Sequence, residues 1–181
     1  MKLYHYIPKD NTIITDGLLS FAKSKNVNLK SYLWRAPDLK NQKDVINWME
    51  SCFVGRSRGI RFFTEPIKWY PHSIKVLKDF VENNILVSVD IERLDADNFV
   101  EAVYVSPPIG EQFPECIENP ESMYKCDEIY ERLSSVQDID YSPLNWNICD
   151  DKLGRRFAYI RYYFIVFKDG IIPPQYITIE S

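Results

Sequence analysis

The chain predicts an α+β fold in a single domain spanning 1–181, with mixed or antiparallel strands forming a split β core flanked by helices. Three observations carry this expectation. Short runs rich in aromatic and β-branched residues alternate in hydrophobicity, as half-buried strands do. A few longer runs repeat their apolar residues at helical spacing. The order is strand and helices first, then mostly strands, which is not the βαβ alternation of a parallel sheet. With 181 residues and 45% hydrophobic content, there is enough apolar material for one sizeable core.

Lys2–Ile7 is aromatic and β-branched and stops at Pro8, which reads as a first strand. Gly17-Leu-Leu-Ser closes a short helix, with Gly17 suited to the left-handed cap. Between Asn41 and Phe53, Val45, Ile46, Met49, Cys52 and Phe53 recur at helical spacing, and Gly55 is placed to stop that helix. Gly59–Thr64 is a short strand closed by Pro66, and His72–Asn84 is a helix with Ile74, Leu77, Phe80 and Val81 on one face.

Ile85, Val87, Val89 and Ile91 alternate with Leu86, Ser88 and Asp90, the pattern of a strand with one buried face; Phe99–Val105 is a second. Asp95-Ala-Asp-Asn supplies the turn between them. Pro107–Pro120 is a loop, Glu121–Ser134 an amphipathic helix and Asp138–Gly154 irregular. Phe157–Phe167 and Tyr176–Ile179 are the last strands, around the turn Lys168-Asp-Gly.

Several functional classes are excluded or disfavoured by composition. No apolar stretch approaches the ~20 residues needed to cross a bilayer, so no membrane span is expected. The opening MKLYHYIPKD lacks the apolar core of a secretory signal, which points to the cytoplasm, or to delivery into a host cell without a Sec signal. Cys52, Cys116, Cys126 and Cys149 have neither redox nor zinc spacing; they read as reduced thiols, and no metal site is expected. A net charge of −4 disfavours a partner held chiefly through phosphates, so a protein target is favoured over nucleic acid. The markers of P-loop hydrolases, α/β-hydrolases and zincins are all missing from the sequence.

The chemistry-bearing residues are few. The chain holds two histidines, His5 and His72. His5 lies between Tyr4 and Tyr6 in the first strand, so its ring points to the face opposite theirs. It serves either as a hydrogen-bonded, partly buried histidine or as an anchor for a ligand's hydroxyl groups. His72 follows Pro71 at a helix start, where it caps or faces solvent. Arg56, Ser57, Arg58 and Arg61 form a polar, glycine-flanked run; it is either a solvated loop or a grip for phosphate oxygens, which guanidinium groups hold in bidentate fashion. Trp69 and Tyr70 either stack on a flat ring or cover a core edge. Glu65 follows the Phe62-Phe-Thr strand towards a cleft mouth, and no pair of acids stands at a spacing that supports glycosidase chemistry.

The segments Leu3-Tyr-His-Tyr, Gly59-Ile-Arg-Phe-Phe-Thr and Tyr162-Tyr-Phe-Ile-Val-Phe, followed by Ile172-Pro-Pro-Gln-Tyr-Ile, resemble the ordered motifs of the ADP-ribosyltransferase superfamily. The likeness is to its His-Tyr-Glu branch, which includes poly-ADP-ribose polymerases and bacterial toxins. The resemblance implies an ADP-ribosyltransferase-like fold and NAD as the substrate cofactor. It implies that His5 anchors the NAD ribose and that an aromatic residue of the glycine-led strand stacks on nicotinamide. The cofactor set is then His5, Tyr6, Arg56, Ser57, Arg58, Arg61, Phe62, Phe63 and Tyr70, with His5 and Glu65 catalytic and a macromolecular target, an effector's or toxin's mode of action.

Two departures from the pattern stand out. Strict register puts Arg61 where the family has its aromatic residue, with Phe62 or Phe63 one or two places on. The glutamate position falls near Tyr162 or Tyr163, and no acid lies between Lys152 and Asp169. Transferase activity is then lost, or the carboxylate comes from elsewhere, with Glu65 the candidate donor. Two alternatives remain open: a non-catalytic protein-interaction module of α+β fold, and an RNA 2′-phosphotransferase-like enzyme that uses the arginines with His5.

Overall fold

The computed structural model describes residues 1–9, 13–25, 29, 39–66, 81–105, 130–141, 147–150, 156–159 and 162–180. The fold is α+β, with few helices and antiparallel sheets. No helix among the described residues is long and apolar enough to cross a membrane.

Strand β1 runs Lys2–Pro8 and is followed by α1, Ile13–Asp16, and β2, Leu18–Leu19. As expected, Gly17 closes α1 in the left-handed region with φ +76, and its N–H donates to the Ile13 carbonyl. A side chain is not tolerated there, because an added Cβ would meet the Ile172 carbonyl oxygen at 2.2 Å. Helix α2, Gln42–Cys52, opens on an Asn41 side chain that accepts from the Asp44 N–H, and buries Val45 and Met49. Gly55, at φ +88, turns the chain into the 3₁₀ turn Arg56–Arg58, which feeds β3, Gly59–Phe62.

Strand β4, Asn84–Asp90, pairs antiparallel with β1 from Lys2↔Asp90 to Pro8↔Asn84 and carries β11, Ile177–Ile179, on its other edge. Its second half is covered on both faces: Val87, Val89 and the intervening Ser88 are all buried, where alternation led us to expect one wet face. Strand β5, Val100–Val105, sits between β9, Tyr163–Phe167, and β6, Glu131–Leu133, and β3 pairs with β9 to complete a sheet in the order β3-β9-β5-β6. Two small antiparallel pairs, β2 with β10, Ile171–Ile172, and β7, Asn147–Asp150, with β8, Arg156–Tyr159, complete the strands. Among the described residues, the main sheets meet at one bridge, where Tyr4 and Phe63 exchange backbone hydrogen bonds of 2.8 Å in both directions.

Paired residues of an antiparallel ladder share a face. Leu3, His5 and Ile7 therefore point with Val89, Val87 and Ile85 into the main core, where Phe62, Ile165 and Phe167 are fully buried. Tyr4, Tyr6 and Leu86 point the other way and join Phe63, Val81 and Tyr162 in a second cluster.

Four expectations are corrected by pairing and capping. Ile91 does not prolong its strand: it opens α3, Ile91–Ala96, because Asp90 accepts from the Arg93 N–H and starts a helix. The turn that follows is then Asp97-Asn98, with Asn98 at φ +66, rather than Asp95–Asn98. Glu131–Leu133 is a strand and not the end of a helix, since β5 offers it a ladder from Val103↔Leu133 to Val105↔Glu131. Asp138–Gly154 is not wholly irregular, because Asn147–Asp150 pairs with Arg156–Tyr159, and this same hairpin splits the long final strand in two. The Pro107–Pro120 loop and most of the Glu121–Ser134 and His72–Asn84 helices lie outside the described residues; Asn84 itself opens β4.

Candidate functional site

Strand β1 delivers His5 onto β3. The ring packs on Phe62 with centroids 5.7 Å apart, and Nδ1 donates to the Arg61 carbonyl oxygen at 2.6 Å. A carbonyl only accepts, so the proton sits on Nδ1 and Nε2 presents a lone pair. Burial against the core lowers the imidazole from its usual 6.5 to about 4, because the low-dielectric surroundings disfavour the cation and the nearby Arg61 charge adds to that effect, outweighing the hydrogen bond. His5 is therefore neutral at pH 7, although part of the residue still reaches solvent. Such a group accepts a hydrogen bond from a hydroxyl and carries no positive charge.

Other expected site residues divide between the two sheet faces. Phe62 shares the His5 side but is fully buried, stacked edge-on against Phe167 at 6.2 Å, so it is a core residue and not a ring clamp for a ligand. Tyr6 and Phe63 lie on the opposite face, 6.3 Å apart edge-to-face, and are nearly buried; they do not share a wall with the imidazole. Arg61 is exposed on that same second face, its guanidinium 4.0 Å above the Tyr162 ring. Glu65 is half-buried in the bend beyond the Tyr4–Phe63 bridge, three residues past Phe62. Tyr70, like Trp69 and His72, lies outside the described residues.

The glycine-flanked run does not form one anion grip. Arg56 is buried in an aromatic box, its guanidinium 4.9 Å from the Trp48 ring and 5.8 Å from both Phe53 and Tyr130. Ser57 is committed to Glu50, donating through N–H at 3.0 Å and through Oγ at 2.5 Å. Arg58 forms a bidentate pair with Glu101 and donates to the Lys168 carbonyl at 2.7 Å. The physical reason is a change of local frame: Arg56 and Arg58 sit on a 3₁₀ turn and Arg61 on a strand, so the three side chains leave in different directions.

Glu50 and Tyr162 matter more than the sequence suggested. The Glu50 carboxylate accepts from the Gly55 N–H at 2.7 Å as well as from Ser57. Desolvation pushes its pKa up, but the Ser57 and Gly55 hydrogen bonds outweigh that and hold it below the usual carboxylate range. The available signal was an acid in the last turn of a helix, where the dipole disfavours it unless donors wait beyond the end. Tyr162 hydrogen-bonds through its hydroxyl to Tyr130 and lies 6.5 Å from Phe63, which links the Arg61 and Arg56 ends of an aromatic row. Of the two residues near the position where the resemblance calls for a glutamate, Tyr162 is half-buried beside Arg61, and Tyr163 is core-buried and donates to the Asp140 carbonyl at 2.8 Å.

Compared with family models, curated proteins and solved structures, the chain matches none.

Proposed function

We propose that this chain binds NAD and belongs functionally with ADP-ribosyltransferase-like proteins that modify a macromolecular target, a protein rather than a nucleic acid. The single observation that carries the reading is the seat of His5: a neutral imidazole, fixed by the Arg61 carbonyl, on the strand lying against the glycine-led β3. With Nδ1–H committed, Nε2 suits a ribose hydroxyl. The order of neighbours adds support, since β1 meets β3 at the Tyr4–Phe63 bridge and β3 pairs with β9 through Phe62↔Tyr163. The first three of the four segments that carry the resemblance are thus neighbours in space.

Cleaving the nicotinamide–ribose bond passes through an oxocarbenium-like state, which gains from a ribose anchor and a nearby carboxylate. In this reading His5 holds the ribose and Glu65 supplies the carboxylate. Thermal denaturation with millimolar NAD tests binding: a raised melting temperature that His5→Ala abolishes is expected, and no shift with the native protein overturns the proposal. Transfer of labelled ADP-ribose to protein, lost in Glu65→Gln, tests the chemistry.

A second reading, a non-catalytic interaction module, is favoured by one specific observation. The expected acid's place, near Tyr162 or Tyr163, holds tyrosines, and β9 carries no carboxylate. NAD-independent melting together with no labelled product supports that reading.

A further inference from the structure

Arg61 serves two aromatic neighbours at once, one through its backbone and one through its side chain. Its carbonyl accepts from His5 Nδ1 at 2.6 Å, while its guanidinium lies 4.0 Å above the Tyr162 ring. The register explains the second contact. Arg61 stands directly across from Phe164, but the Phe164 ring leans over Gly59, where an added Cβ would meet it at 1.9 Å. The Arg61 side chain therefore runs diagonally to Tyr162, the residue before β9, a reach open to long side chains on a shared sheet face.

Tyr162 is itself held in place. Its hydroxyl is hydrogen-bonded to that of Tyr130, and the two rings lie 6.1 Å apart. Tyr130 in turn packs on Phe53 at 5.5 Å and on Phe164 at 5.7 Å. An exposed arginine has many rotamers to lose, and a stack on an anchored ring selects among them. His5 feels that stack in two ways. It pins β3 just where the strand leaves β9 for the Tyr4–Phe63 bridge. It also keeps the guanidinium close to an imidazole that this charge helps to hold neutral.

We propose that Tyr162 is a positioning residue for His5 and acts through Arg61: its ring seats the guanidinium and thereby fixes the carbonyl that orients the imidazole. This role rests on the ligand reading above for its use, since the contacts decide that Nε2 is the nitrogen offered to a ribose hydroxyl. Its test does not depend on that reading.

The His5 ring of the whole chain is followed by ¹⁵N imidazole spectra without NAD, with His5→Phe to assign the signals. The native chain is expected to show the neutral ring protonated at Nδ1 at pH 7. Tyr162→Phe keeps a ring under Arg61 and is expected to leave the spectrum unchanged. Tyr162→Leu removes the seat and is expected to give a mixture of the two neutral tautomers, with a titration midpoint moved up from about 4 towards 6.5. Arg61→Gln, a change at an exposed side chain that leaves the Tyr162 ring in place, is expected to do the same. A native tautomer and midpoint in Arg61→Gln, or in folded Tyr162→Leu, overturns the proposal, as does an altered ring in Tyr162→Phe. Because NAD enters none of these spectra, failure here and failure of the ligand reading are told apart.

Discussion

The imidazole of His5 is tied to a backbone group and not to a side chain: its Nδ1 donates to the Arg61 carbonyl at 2.6 Å across the junction of the two sheets. This bond fixes the tautomer and, with burial, keeps the ring neutral. The unfolded chain titrates near 6.5 and the folded chain near 4, so between those values the unfolded state binds more protons. His5 therefore contributes its full stability above 6.5, and the contribution fades as pH falls towards 4. The loss by pH 4 is at most about 3 kcal/mol, and smaller to the extent that water reaches the ring. Urea unfolding at pH 7.5 and 5 is expected to show a larger drop for the native chain than for His5→Phe, and a His5 ring titration by NMR with a midpoint near 6.5 contradicts this account.

Glu50 holds the exit of α2 through three hydrogen bonds, two from Ser57 and one from Gly55. Glu50→Ala leaves the Gly55 and Ser57 donors without that acceptor and is expected to cost about 2 kcal/mol. Because the folded carboxylate titrates below its unfolded value, its stabilisation is present above the usual carboxylate range and vanishes as pH drops through the lowered folded value. Denaturant midpoints of native and Glu50→Ala proteins should converge under acid, and a constant gap between them rules out this role.

Arg58 and Glu101 join the 3₁₀ turn to β5, and Arg58 also reaches the Lys168 carbonyl. Arg58→Ala is expected to destabilise by about 1 to 3 kcal/mol, and a double-mutant cycle with Glu101→Ala to show coupling near 1 kcal/mol, since the pair is partly exposed. Any NAD-dependent thermal shift should survive the substitution. Loss of that shift in a variant that still folds returns Arg58 to the ligand site.

Gly17 is required by both its dihedral and its surroundings. Gly17→Ala places a Cβ 2.2 Å from the Ile172 carbonyl oxygen at φ +76, and the neighbouring β2–β10 pair gives the backbone little room to move. A loss of about 2 to 4 kcal/mol is expected in chemical denaturation. Stability within a few tenths of the native value contradicts the tight approach.

What could be read from the sequence was local. The left-handed cap at Gly17 and the strand opening at Lys2 follow from residue chemistry within a few positions, and alternation alone told which way His5 points; Gly55, expected to stop α2, instead opens the 3₁₀ turn after the helix has ended at Phe53. The short strand Glu131–Leu133 and the pair Asn147–Asp150 with Arg156–Tyr159 depend on partners elsewhere in the chain, which periodicity does not encode. The site was half legible for the same reason. A backbone carbonyl such as that of Arg61 has no side-chain signature, and neighbouring arginines look convergent until the turn and the strand set their directions. The α3 start was readable in principle from Asp90 as a cap, but the alternation running through Ile91 masked it.

The Tyr4–Phe63 bridge is, among the described residues, the only strand pairing between the two main sheets. Beside it the seam carries the His5–Arg61 hydrogen bond and side-chain packing, and packing yields gradually where a ladder breaks all at once. Small changes in the angle between the sheets thus strain the two Tyr4–Phe63 amide hydrogen bonds and the His5 bond beside them. Exchange with heavy water at Tyr4 and Phe63 is a direct gauge of how freely the His5 seam breathes.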